Sequence, residues 1–175
     1  MAEFQRTLVG GLSLSRMIIG TNWFLGYSHI SAAKDKFIKS YQTRENLADI
    51  LTVFFASGVD TIMGMPEPIL CDAIADARDR TGREAILILT PHFNFLPGGP
   101  EESEPQRVFD RCKEFGAAFC FPHQCVTDCL LDKMHRRIRD YDKYAEMIRQ
   151  REMIPGLSTH APESVIIADE SGADV

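Results

Sequence analysis

The sequence carries no excess of positive charge. Its 175 residues hold 19 Lys and Arg against 25 Asp and Glu, a net charge of −6, and no basic stripe. Binding to nucleic acid depends on neutralising phosphates, so a nucleic-acid partner is not expected. No apolar run approaches the roughly 20 residues that a membrane span needs, so no membrane partner is expected either. The opening Met1-Ala2-Glu3-Phe4-Gln5-Arg6 lacks the charged-then-apolar pattern of a signal segment. The five cysteines include no CxxC pair; an odd number in a chain of this size reads as reduced thiols and a cytoplasmic location. Cys125 and Cys129 are four apart, on one helical face. They read as buried small apolar residues, with a redox or metal pair as the alternative. No GxGxxG turn follows the first apolar segment, which weakens a dinucleotide-binding open sheet.

What is there is an ordinary globular composition, 45% apolar and 25% charged, long enough for a real core. A punctuated phrase recurs along it. Ser57-Gly58-Val59-Asp60 leads into Thr61-Ile62-Met63, Thr81-Gly82-Arg83-Glu84 into Ala85 to Leu89, and Phe115-Gly116-Ala117 into Ala118 to Phe121; Ser171-Gly172-Ala173-Asp174-Val175 begins the phrase again. A Gly after helical periodicity and before an apolar run is a helix terminator, because it accepts a left-handed backbone without a Cβ clash.

Between these marks the spacing predicts helices. Thr43 to Ser57 places Leu47, Ile50, Leu51, Phe54 and Phe55 three and four apart, with Thr43 as cap and Asn46 at the third helical position. Pro68 to Thr81, Pro105 to Phe115, Tyr141 to Arg151 and Pro162 to Ser171 follow, three of them opening on Pro, which suits a first turn. The predicted strands are Arg16 to Gly20, Thr61 to Met63, Ala85 to Leu89, Ala118 to Phe121 and Met153 to Gly156. They are apolar at consecutive positions, the pattern of parallel strands buried on both faces. Five β-then-α units imply a βα barrel or an open doubly wound sheet. Two long loops, Gly26 to Gln42 and Pro91 to Glu104, follow strand C-terminal ends, the face on which barrels build their sites.

Three phrases carry a resemblance to the aldo/keto reductases. Leu12-Ser13-Leu14-Ser15-Arg16-Met17-Ile18-Ile19-Gly20-Thr21 resembles the family's first strand, Gly156-Leu157-Ser158-Thr159-His160-Ala161-Pro162-Glu163 its phrase after strand five, and Phe121-Pro122-His123-Gln124 the end of strand four with its catalytic histidine. The resemblance runs along essentially the whole chain. It implies a (β/α)8 TIM barrel opened by a short N-terminal hairpin. Residues 1–175 would be one partial barrel domain of about five βα units, ending before a sixth strand. Such an arc leaves its outer strands unpaired, so self-association or a missing C-terminal barrel half is expected. The resemblance also implies carbonyl chemistry on a small molecule, and NADP for a full-length form. The family's Asp, Lys and Tyr have no counterparts here: Met63 and Pro91 stand in place of the first two, and no Tyr occurs from Gly64 to Ile69. Without a Tyr–Lys pair nothing lowers a phenol pKa for proton donation. Only His123 keeps its place, which indicates a divergent branch.

The residues themselves point to the same face. His92, His123 and His160 each follow a predicted strand and are the catalytic candidates. Either they line a polar substrate pocket without metal, or they converge on a divalent metal with an open position, which would support lyase or hydrolase chemistry. Asn22, Trp23, Asn94 and Gln124 are the substrate-binding candidates: Trp23 by stacking, the amides by donating to a carbonyl or phosphate. Asp128 would orient His123 or place a charge at a helix start. Tyr27 and His29 lie in the first long loop, where Tyr27 would substitute for the absent tyrosine. His135 belongs to a short basic helix, Lys133 to Arg139, read as a solvated face. The expected function is that of an aldo/keto-reductase-like barrel acting on a small polar carbonyl-type substrate. The alternatives are the metal-dependent enzyme and a non-catalytic binding protein derived from a barrel.

Overall fold

The computed structural model describes residues 4–93 and 104–175. Asn94 and residues 95–103 of the second long loop lie outside them. The chain forms two compact units, Met1–Leu87 and Ile88–Val175.

The first unit opens with an antiparallel hairpin, β1 (Arg6–Val9) and β2 (Leu12–Ser15), in which Val9 faces Leu12 and Arg6 faces Ser15. Gly10 and Gly11 both take positive φ, 54° and 82°, as a two-residue turn matching the twist of its strands requires. Then come β3 (Ile18–Gly20), α1 (Ala32–Tyr41), α2 (Arg44–Ala56), β4 (Thr61–Gly64) and α3 (Pro68–Thr81). The hairpin is tied to the start of β4 by buried polar contacts. Ser15 Oγ accepts from the N–H groups of Thr61 (3.1 Å) and Asp60 (3.3 Å), and Ser15 N–H donates to Thr61 Oγ1 (3.0 Å). The nearly buried Asp60 carboxylate accepts two bonds from Arg6 (2.8 and 3.0 Å) and one from Arg83 (3.3 Å). α2 and α3 bury Leu47, Leu51, Phe55, Leu70 and Ala77 completely, together with Ile62 of β4.

β5 (Ile86–Leu89) spans the division. The second unit continues with α4 (Pro105–Glu114), β6 (Phe119–Cys120), α5 (Gln124–Leu130), β7 (Leu131–Asp132), β8 (Arg137–Ile138), α6 (Tyr141–Arg149), β9 (Ile154–Pro155) and α7 (Pro162–Glu170). Its core is aromatic: Phe93, Phe109 and Phe119 are buried, and Phe93 meets Phe109 and Tyr144 edge to face at 5.3 and 4.9 Å.

The protein is α/β. Its main sheet is parallel and five-stranded, in the order β3-β4-β5-β6-β9, with helices alternating along the chain. Four strands of that sheet fall inside stretches predicted from consecutive apolar residues, and β4 covers its predicted Thr61 to Met63 and runs one residue further, to Gly64. The glycines of the recurring phrase take the left-handed backbone anticipated for helix terminators, with φ of 84° at Gly58, 65° at Gly82, 79° at Gly116 and 72° at Gly172. Thr43 caps α2 as expected, its Oγ1 accepting from Asn46 N–H at 3.2 Å. Pro155 stands in β9, at the end of the strand order, where its missing N–H costs no ladder bond.

Two expectations are corrected. The segment Gly26 to Gln42 is not an unbroken loop, because α1 occupies much of it. Ser31 Oγ caps this helix by accepting from Lys34 N–H (3.2 Å), and Asp35 sits in its first turn. Only Ile38 of α1 is buried, so the segment lacks the apolar periodicity that reveals a packed helix. Lys133 to Arg139 is not a helix but the turn and second strand of the β7–β8 hairpin, with Leu131 opposite Ile138. Asp132 sets this turn by accepting His135 N–H (3.2 Å) and lying 2.9 Å from His135 Nδ1, while Arg136 adopts a left-handed φ of 47°. A side chain that bonds the backbone two or three residues on competes with helix formation. Among the described residues no helix is long and apolar enough to cross a membrane.

Candidate functional site

The candidate site forms where β5 and β6 run out, within the second unit. β5 and β6 pair in parallel, Leu89 beside Cys120. Their hydrogen bonding continues past the strands: Phe121 N–H donates to Leu89 O (2.9 Å) and His123 N–H to Pro91 O (3.0 Å). This register carries His92 and His123 to the same level, and their rings meet edge to face with centroids 4.0 Å apart. Phe93, immediately after His92, is pinned in the aromatic core described above. β9 continues likewise, Ser158 N–H reaching Pro122 O at 3.3 Å.

His123 also begins α5. Its carbonyl accepts from Val126 N–H (2.8 Å) and Thr127 N–H (3.1 Å), and Thr127 Oγ1 donates back to Pro122 O at 3.2 Å. The imidazole participates too, Nδ1 accepting from Cys125 N–H at 3.3 Å. A ring nitrogen that accepts carries no proton, so the neutral ring holds its proton on Nε2. Burial pushes the His123 pKa down to about 4; positive charge on His92 and on His160 pushes the same way, against Asp128. His123 is therefore a neutral imidazole at neutral pH.

The same turn brings in Cys125. Gln124 Nε2 donates to its Sγ at 2.9 Å, and burial raises the thiol pKa, with Cys129 and Asp128 adding to the effect. Ligand atoms of His92, His123 and Cys125 all lie within 4.8 Å of one another, the one group of three or more His, Cys, Asp or Glu side chains so arranged among the described residues. Cys125 is half-buried and Cys129 exposed, which corrects the expectation of two buried apolar cysteines: α5 turns the Cys125 thiol toward the histidines rather than into the core.

His160 lies on the loop after β9, exposed. Its N–H donates to Asp128 Oδ2 at 3.2 Å, and Thr159 Oγ1 donates to Asp128 Oδ1. Asp128 thus fastens the 159–160 segment to α5, and it bears on His123 through its charge. His160 is near enough for its own charge to act on His123, but it is not in the His92–His123–Cys125 group. Gln124 belongs to the site through Cys125.

Asn22 and Trp23 lie in the first unit. Asn22 Nδ2 donates to His29 Nε2 at 3.0 Å. Trp23 is half exposed, with Lys34 Nζ 5.5 Å from its ring centroid. Lys39 Nζ stands 5.2 Å from the Tyr27 ring. Asn94 falls outside the described residues. Cys125, which the sequence reads as a buried apolar residue or as half of a pair with Cys129, joins the two histidines instead, a grouping that sequence reasoning missed. Its signal is the short His123-Gln124-Cys125 spacing at a helix start, masked by the Cys125–Cys129 helical spacing.

The chain matches no protein-family model and no curated protein.

Proposed function

We propose that this chain is an arc of an aldo/keto-reductase-like βα barrel with a divergent active site, in which His123 binds and polarises the carbonyl of a small polar substrate. The strand order supports the barrel reading. Five parallel strands follow one another in chain order, whereas open doubly wound sheets reverse their order at a switch point. The site's position after strand ends is the position barrel enzymes use.

The observation that carries the functional reading is the Cys125 N–H bond to His123 Nδ1. It leaves Nε2–H as a fixed donor on a half-buried ring beside His92. A neutral imidazole held in one tautomer can donate to a carbonyl oxygen as negative charge develops there, and it costs no reorganisation in doing so. Gln124 and His160 stand nearby as further polar groups for substrate.

The nicotinamide cofactor of the family fits these residues poorly. Met63, half-buried at the end of β4, offers a thioether where a carboxylate is needed, and the buried Pro91 offers no ammonium. These side chains do not support a hydride step, and the reaction class proposed is polarisation of a carbonyl, as in isomerisation or aldol-type cleavage. Two-bond ¹H–¹⁵N correlation spectra of the metal-free protein test the reading directly. The expected result is a His123 ring protonated at Nε2 at neutral pH, shifted by small hydroxy-carbonyl compounds and unresponsive to the corresponding alcohols. A ring protonated at Nδ1, or equal response to alcohols, would overturn it.

A further inference from the structure

We infer that His92, His123 and Cys125 form a binding site for a thiophilic divalent cation of the Zn²⁺ type. Two imidazoles and one thiol have ligand atoms mutually within 4.8 Å, and that combination of donors selects zinc-like ions over the oxygen-seeking Mg²⁺ and Ca²⁺. The backbone holds the three in place before any ion arrives. His92 and His123 are set by the cross-strand bonds from His123 N–H to Pro91 O and from Phe121 N–H to Leu89 O. Cys125 is set by the first turn of α5, whose N–H bonds return to the His123 carbonyl. Three protein ligands leave a fourth tetrahedral position open, as in catalytic rather than structural zinc sites.

Cys125 N–H donates to His123 Nδ1 at 3.3 Å, and this single neutral hydrogen bond is exchanged for a metal bond when the ion binds. The Gln124 Nε2 bond to Cys125 Sγ is one that a metal-bound sulfur still accepts. With the cation bound, His123 becomes a ligand and no longer a free donor. Bound there, the ion would supply Lewis-acid polarisation of a carbonyl held at the fourth position. The inference rests on the carbonyl reading only for this last consequence; binding itself requires Cys125, on whose thiol the carbonyl reading does not depend.

Titration of the chelator-treated protein with Co²⁺ and Zn²⁺ tests it. The expected result is one Co²⁺ per chain, ligand-field absorption of tetrahedral strength in the visible, and a thiolate-to-metal charge-transfer band in the near ultraviolet. Cys125→Ser removes the charge-transfer band, and His92→Ala and His123→Ala each weaken Zn²⁺ by more than the roughly 10–100-fold that loss of an outer-shell partner costs. Cys129→Ser and His160→Ala leave stoichiometry and spectrum unchanged. A band that survives Cys125→Ser, or a site abolished by His160→Ala, would overturn the assignment, as would absence of stoichiometric binding. Should Cys125→Ser not fold, differential alkylation of the parent protein decides the matter: Zn²⁺ protects Cys125 but not Cys129 if the site is as described, and protects neither or both equally if it is not. The His123 tautomer in metal-free protein is a separate measurement, so failure of the metal site and failure of the carbonyl reading remain distinguishable.

Discussion

Removing the ring of Phe93 should damage both the fold and the site. Phe93 follows His92 directly and is 2% exposed. Its ring stands edge-on to Phe109 at 5.3 Å and 80°, and to Tyr144 at 4.9 Å and 66°. Truncating a buried Phe to Ala costs about 3–5 kcal/mol through lost burial and the cavity left behind. An aromatic pair contributes about 0.5–1.5 kcal/mol beyond its area. Phe93→Leu keeps most of the apolar volume and loses both pairs, so it should cost about 1–3 kcal/mol, and Phe93→Ala about 3–5 kcal/mol. Domains of this size have only about 5–15 kcal/mol to lose, so the Ala variant forfeits a large share. Urea unfolding followed by circular dichroism reads the change as a lower midpoint at unchanged slope. Phe93→Leu should also loosen the backbone that presents His92, lowering Co²⁺ affinity while Cys125 remains a ligand. An Ala variant within about 1 kcal/mol of the parent, far below the range for a buried Phe, would refute the packing argument and the anchoring of His92 with it.

Three further outcomes are expected. Ser15→Ala strips the hydroxyl that serves Thr61 N–H, Asp60 N–H and the Met17 carbonyl; with about 1–3 kcal/mol for each buried group left unsatisfied, thermal unfolding should show a loss of about 2–4 kcal/mol and the Thr61 amide should exchange faster. Gly156→Ala places a Cβ 2.2 Å from Cε1 of the buried Phe121 ring, an overpacking worth about 1–3 kcal/mol, and an unchanged melting temperature would contradict the close approach. In metal-free protein the His123 ring should titrate near 4 rather than at its ordinary 6.5. Its folded pKa lies below its unfolded one, so the unfolded chain takes up the proton first, and stability falls as pH drops from 6.5 toward 4; an NMR titration midpoint near 6.5 would contradict the burial.

His92, His123 and His160 look equivalent in the sequence, each a histidine following a strand. They separate only because β6 pairs with β5 on one side and β9 on the other, and the loops leave the strands differently. The turn after β6 folds straight into α5 and keeps His123 half-buried against His92. The loop after β9 is drawn to Asp128 instead, through Thr159 and the His160 N–H, which leaves the His160 ring exposed. No local feature of residues 156–163 announces that preference.

By itself, the sequence determined what short-range physics decides. Gly58, Gly82, Gly116 and Gly172 end their helices because a left-handed residue is needed there. Thr43 caps α2 because its hydroxyl reaches Asn46 N–H, and consecutive apolar residues make strands buried on both faces. It failed where polar side chains reset the backbone locally: Ser31 opens α1 in a segment with too little apolar periodicity to reveal a helix, and Asp132 turns a segment that reads as a basic helix into the β7–β8 hairpin. Only tertiary structure decided the site. His92, His123 and Cys125 meet because strand register sets two rings at one level and a helix start swings a thiol beside them, and register is settled by the pairing of segments distant in sequence rather than by neighbours along the chain.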